Sequence, residues 1–174
     1  MQTIKLHVKN YLLVTVIVLG IAAVNTMAAT FTSAASGDWA TAGTWTLNSG
    51  SDADGIPDAD DSVTILNTRT VTVTGAQSVL GLTINTGGVL TLSGGSTFTM
   101  AGTAGSSYSG AGTVNGTGIF RSQGITSLSF SNFTAPVEIV SGTTTANGTL
   151  GGSLTILSGA TLNTTCLLYT SRCV

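Results

Sequence analysis

Residues 82–92 read LTINTGGVLTL, and residues 154–164 read LTILSGATLNT. Each is a short strand pattern, a corner and a second strand pattern. In the first copy Leu82, Ile84, Leu90 and Leu92 alternate with Thr83 and Thr91. That period of two puts apolar side chains on one face and hydroxyls on the other. Asn, Thr, Ser and Gly fill the corner, and pairs such as Gly87-Gly88, Gly94-Gly95 and Gly151-Gly152 suit positive-φ turns. The apolar–polar–apolar triplet recurs as Val63-Thr64-Ile65, Phe98-Thr99-Met100 and Val137-Glu138-Ile139. Successive triplets start about 19, 16, 39 and 17 residues apart, and the longest step is read as two turns, the hidden one beginning near Ile119. A mean step of about 18 residues falls near the periods of solenoid proteins.

A single turn of this kind cannot bury its own apolar face. Stacking turns about 4.8 Å apart lets Val, Leu, Ile and Phe form ladders around a shared core. The expected fold is therefore all-β: a parallel β-solenoid (β-helix) with an N-terminal cap. An antiparallel β-sandwich also uses short strands and glycine turns, but here residue identities repeat as well as the pattern. Only Pro57 and Pro136 interrupt the supply of backbone donors.

Composition agrees with this and excludes several chemistries. Charged residues are 7% of the 174, against roughly 25% in ordinary globular chains. Lys5, His7 and Lys9 all lie in the first ten residues; beyond them the chain has no lysine or histidine, only Arg69, Arg121 and Arg172. With no basic patch to neutralise phosphates, nucleic acid is not an expected partner. Ser-His-Asp and Cys-His arrangements and nitrogen/sulfur zinc sites lack their residues between 30 and 165.

The two ends stand apart from the repeats. Residues 1–29 have the parts of a secretory signal: Lys5 and Lys9, an apolar run over 11–24, and a small-residue cut site after Ala28 or Ala29. The run is shorter than the roughly 20 residues that span a bilayer, so no membrane association is expected once the leader is cut. Residues 166–174, CLLYTSRCV, hold both cysteines and break the composition. The codons TGT CTC TTA TAC ACA TCT would encode the opening of this tail and resemble a transposase mosaic end used in library preparation. The reverse complement, AGA TGT GTA TAA, would encode the closing Arg-Cys-Val and a stop. The tail is read as a sequencing-adapter artefact, with the natural C-terminal portion missing beyond Thr165. The organisation expected is thus a signal peptide at 1–29, a cap and acidic loop at 30–62, truncated solenoid repeats at 63–165 and the artefact at 166–174.

The cap segment carries Phe31, Trp39 and Trp45. The rings are read as a plug for the solenoid's end, the other possibility being a sugar-stacking platform. The strings SGDWATAGTW (36–45) and DGIPDADDSVTILNTRTVTV (54–73) are similar to the opening of secreted bacterial parallel β-helix proteins of the adhesin and autotransporter-passenger kind. The resemblance rests on the Trp39/Trp45 pair, the Gly55-Ile56-Pro57 loop and Asp60-Asp61 before the Val63 strand. It implies a cell-surface or secreted N-terminal fragment.

Candidate chemistry is sparse. Asp52, Asp54, Asp58 and Asp61 are spaced like calcium-loop ligands around Gly55, although Gly50 stands where a first ligand would be. No other cofactor is expected. Glu138, flanked by Val137 and Ile139, is expected to face outward, and no paired carboxylates suggest glycoside cleavage. The leading expectation is an extracellular structural or adhesive stalk, non-catalytic in this fragment, presenting loops such as 105–118 to surface carbohydrate or a neighbouring cell. The alternatives are the non-catalytic front of a polysaccharide-degrading β-helix enzyme and an ice-binding solenoid using Thr68, Thr70, Thr72, Thr74, Thr97 and Thr99.

Overall fold

The computed structural model describes residues 27–101, 106–124 and 127–169. Most of the expected leader (1–26) and the last five residues of the tail (170–174) lie outside the described residues. An apolar–polar–apolar triplet is long enough to line one side of a narrow prism, and the Gly/Asn/Ser corner after it redirects the chain to the next side. The front segment holds β1 (Met27–Ser33), β2 (Gly37–Asp38), a 3-10 turn at Ala42–Thr44 and β3 (Trp45–Ser51). The first full coil is β4 (Ser62–Ile65), β5 (Thr70–Val73) and β6 (Ala76–Val79); the second is β7 (Gly81–Ile84), β8 (Val89–Leu92) and β9 (Thr97–Met100). The third is β10 (Ser107–Gly110), β11 (Thr113–Gly116) and β12 (Ile119–Gln123). In the fourth and fifth coils the first two sides merge into one longer strand: β13 (Ser127–Phe133) with β14 (Val137–Ser141), then β15 (Thr143–Leu150) with β16 (Leu154–Ile156). β17 (Thr161–Tyr169) starts another coil. The chain is a parallel β-solenoid of about five turns.

The coils stack into three columns. Column one is β1, β4, β7, β10 and the first parts of β13, β15 and β17. Column two is β2, β5, β8, β11 and the later parts of the same three long strands. Column three is β6, β9, β12, β14 and β16. All the ladders among described strands are parallel except β1 with β3, which excludes the antiparallel sandwich. Alternation does the rest: Val63, Ile65, Leu82, Ile84, Leu90, Leu92, Phe98 and Met100 are all buried, while the intervening threonines are partly exposed. A line of ring contacts threads the core, from Trp45 to Trp39 (4.7 Å), Phe98 (4.9 Å), Phe120 (5.7 Å), Phe133 (5.1 Å) and Phe130 (5.0 Å). Such pairs add about 0.5–1.5 kcal/mol each beyond the area they bury.

Several details differ from the sequence reading. The triplet marks a side of the prism, not a whole coil. Leu82-Thr83-Ile84 and Phe98-Thr99-Met100 lie in columns one and three of the same coil, so the 16-residue step is not a turn. Column one advances from Val63 to Leu82, Tyr108, Leu128 and Ala146, steps of 19, 26, 20 and 18 residues. LTINTGGVLTL spans columns one and two, whereas LTILSGATLNT runs from column three into column one of the following coil. The 39-residue step does hold two coils, and β12 begins at Ile119. Within the expected display loop 105–118, the described residues 106–118 are mostly strand, β10 and β11. Each of these strands ends in a tightly packed glycine: Gly110 (φ +120°) closes β10 and Gly116 (φ +108°) closes β11, where a Cβ would strike the carbonyls of Ile84 and Leu92 in the coil beneath. Gly151-Gly152 is not a positive-φ corner either. A Cβ on Gly152 would strike the Ala135 carbonyl, so close packing requires glycine there. β1 already pairs in parallel with β4, so the first strand of the cap segment belongs to the stack. β17 follows β15 as far as Tyr169, with a one-residue slip between the Thr164 and Cys166 pairings.

Candidate functional site

The acidic segment 52–61 connects β3 to β4, and its carboxylates fold back onto their own loop. Aspartate side chains are short enough to accept backbone N–H groups two or three residues on, which is why they favour turns. The Asp52 carboxylate accepts the N–H groups of Asp54 (3.0 Å) and Gly55 (2.5 Å), and the Asp54 carboxylate accepts that of Ile56 (2.9 Å). Asp58 accepts the N–H of Asp60 at 3.3 Å. Asp61 is the anchor. It is 2% exposed, its Oδ2 accepts the Asp58 N–H (2.9 Å) and its Oδ1 accepts the Ala29 N–H from β1 (2.6 Å). Its backbone carbonyl accepts the N–H groups of Leu80 and Gly81, tying the loop to the start of the second coil.

Of the four calcium candidates the fold brings together three. One carboxylate oxygen each from Asp52, Asp58 and Asp61 lies within 4.8 Å of the others, while Asp54 stands outside that group. These oxygens would supply three of the roughly six to eight that calcium takes. Crowding shows in the acidities. The Asp58 carboxyl is pushed up to about 6, first by a hydrogen bond shared with the Asp60 carboxyl and then by burial. Burial pushes Asp61 upward as well.

The tryptophans beside this loop are structural. Trp39 is fully buried and Trp45 is 6% exposed, so neither offers a face to a sugar. Trp39 Nε1 donates to the Pro57 carbonyl (3.1 Å) and Trp45 Nε1 donates to the Trp39 carbonyl (2.7 Å), which binds the acidic loop to the plug. Asp38 holds the other side, accepting the Ala40 N–H (2.9 Å) and the Thr74 hydroxyl (2.8 Å).

On the flanks Glu138 is partly exposed, as expected, and pairs with Arg121 at 2.7 Å from the adjacent coil. Sequence distance hides this contact; one coil pitch in column three creates it. The threonines of the ice-binding reading do not assemble into one flat array. Thr68 lies in a corner at φ 64°, Thr74 follows the end of β5, Thr70 and Thr72 face out from column two, and Thr97 and Thr99 from column three. In column three the neighbours of Thr97 and Thr99 on the next coil are Ile119 and Arg121, which breaks any hydroxyl grid. A groove of about 510 Å3 lies along β13 and β15, lined by residues such as Asn132, Thr134 and Thr149 and by no titratable group. Inside the core the Tyr108 hydroxyl, 1% exposed, has no hydrogen-bond partner among the described residues, and burial pushes it up to about 12.

No protein-family model, no curated protein and no solved structure matches this chain.

Proposed function

We propose that the chain is the front of an extracellular, non-catalytic β-helical stalk of the adhesin and autotransporter-passenger kind, exported by the leader at 1–29. The supporting observation is the outer surface of the coil stack. Thr32, Thr64, Thr83 and Ser109 lie in register on successive coils of column one. Such ladders of small hydroxyl side chains keep a long stack soluble with almost no charge. They present hydrogen-bonding groups on a rigid surface, suited to surface carbohydrate or a neighbouring cell. Among the described residues the flanks carry one ion pair, Arg121 with Glu138, and no acidic side chain lies close to Glu138 in sequence, which favours a stalk over a hydrolase in this segment. The fragment is read as continuing into further coils that cover β16 and β17.

Two experiments test this. The exported chain coupled to beads is expected to retain cell-surface polysaccharide without releasing shortened products. Release of new reducing ends would overturn the non-catalytic reading. The full-length gene separates the stalk from the front of a polysaccharide-degrading enzyme. A repeat-rich continuation ending in a membrane β-barrel or sorting domain supports the stalk. Clustered carboxylates or basic residues on later coils support the enzyme.

A further inference from the structure

Where β1 enters the fold, the structure has a feature that leader removal would complete. We infer that cleavage between Ala28 and Ala29 frees Ala29 as an N-terminal ammonium that pairs, inside the cap, with the buried carboxylate of Asp61. The inference rests on the export reading above and deepens it. Sequence alone leaves two cut sites open, after Ala28 or after Ala29; the fold distinguishes them. Ala28 and Thr30 are exposed while Ala29 and Phe31 are each 1% exposed, the alternation of a strand with one face inward, and Ala29 is the first described side chain on that inward face. Cutting one residue later would remove the side chain that fills this position and the nitrogen that meets Asp61. Thr26 and Ala28 supply the small residues that a leader peptidase needs on the departing side.

Asp61 supplies the second observation. A buried carboxylate is costly unless charge and hydrogen bonds compensate it. Asp61 is 2% exposed, and among the described residues its oxygens accept from the backbone amides of Ala29 (2.6 Å) and Asp58 (2.9 Å) alone. Among the described residues the one ion pair is Arg121 with Glu138 and there is no lysine or histidine, so no basic side chain among them serves Asp61. Hydrolysis supplies the missing cation. Water adds across the Ala28–Ala29 peptide bond, leaving a carboxylate on the departing leader and an amine on Ala29. That amine takes a proton from solvent, since an α-amino group titrates near about 8 and a carboxylate neighbour raises it. The nitrogen already lies at ion-pair distance, so no rearrangement of β1 is needed. The cap would then reach full stability only after export.

The experiment compares the exported full chain with its own N-terminal chemistry altered. Intact mass is expected to show a mature chain beginning at Ala29. Nα-acetylation of that chain restores an amide and removes the charge, and is expected to lower the melting temperature by roughly 5 °C. In the Asp61→Asn variant the same acetylation is expected to shift it by about 1 °C or less. If that variant does not fold, the free and acetylated chains of unaltered sequence still decide. Equal melting temperatures for those two would overturn the ion pair. A mature chain beginning at any other residue would overturn the cut site while leaving export intact. A chain that keeps residues 1–28 would overturn the export reading and this inference together.

Discussion

At the front of the stack Trp39 is fully buried, Trp45 is 6% exposed, and β3 lies antiparallel along the edge of β1. At the back, Ile156 is 47% and Leu157 41% exposed, and Leu154 and Leu162 are only partly buried. The two regions carry the same kind of triplet, so the difference does not come from strand chemistry. It comes from what stands next in the stack. An interior triplet has a coil on either side of it; a terminal one has a coil on one side only and shows its aliphatic residues to water. The front closes that gap by departing from the repeat, using two tryptophans and an aspartate-rich loop that no repeat unit contains. A solenoid is therefore only as complete as its non-repeating ends.

This contrast can be broken most severely at the plug. Trp39→Ala removes a buried ring in contact with Trp45 and Phe98 and disturbs the carbonyl that accepts Trp45 Nε1. The expected cost is about 3–5 kcal/mol, read as a shift in urea midpoint. A loss below about 1 kcal/mol would show that the ring is dispensable to the front end. The triplet itself gives the next test. Ile84 and Ile156 both close a Leu-Thr-Ile triplet, but Ile84 is 0% exposed and Ile156 is 47% exposed. Ile84→Ala is expected to cost about 2–5 kcal/mol, whereas Ile156→Ala should cost about 1 kcal/mol or less. Equal costs would mean that the last coil is covered in solution. Hydrogen exchange reads the same gradient without mutation. Amides of Leu82, Leu90 and Phe98 should exchange at least about a hundredfold more slowly than those of Ile156 and Leu162. Uniform protection as far as Leu162 would contradict an open back end.

The architecture class was legible because hydrophobic alternation, glycine corners and repetition all point the same way. The coil was not. Three columns accept the same triplet, so Leu82-Thr83-Ile84 in column one and Leu154-Thr155-Ile156 in column three look alike while occupying different sides. Nothing local in a triplet records which side it lines; only the ladder partner does. The same limit hid the Arg121–Glu138 pair and the fact that Ser107–Gly110 and Thr113–Gly116 are strands. In the acidic segment the aspartates were visible as a cluster of hard ligands. Their use was not, because metal ligation and turn-capping select the same residue at the same spacing. The decisive partner of Asp61 is the Ala29 amide, 32 residues earlier, and no sequence pattern announces it.

The smallest expected effect again separates the two ends. All acidic side chains except Glu138 lie between residues 38 and 61, and both carboxyls that the fold pushes upward, Asp58 and Asp61, are in the front loop, so mild acid should act chiefly on the front of the stack. Asp58 is held at about 6 in the fold, above its ordinary 3.8, chiefly by the hydrogen bond shared with Asp60. A folded-state value above the unfolded one means that the native chain binds more protons through that interval, so stability falls as pH rises. The contribution is fully present below about 4 and is lost as pH rises through about 6. The melting temperature should therefore rise slightly between pH 7 and pH 4, a gain that salt weakens because Asp58 is solvent-exposed. Asp58→Asn should flatten the profile, since it removes the group that takes up the proton. A cation held by Asp52, Asp58 and Asp61 would reverse the sign, favouring the ionised loop at neutral pH. Millimolar calcium that raises the melting temperature at pH 7 and abolishes the acid gain would establish that binding. An unchanged melting temperature would leave the aspartates as what their hydrogen bonds already make them, the fastening of the cap.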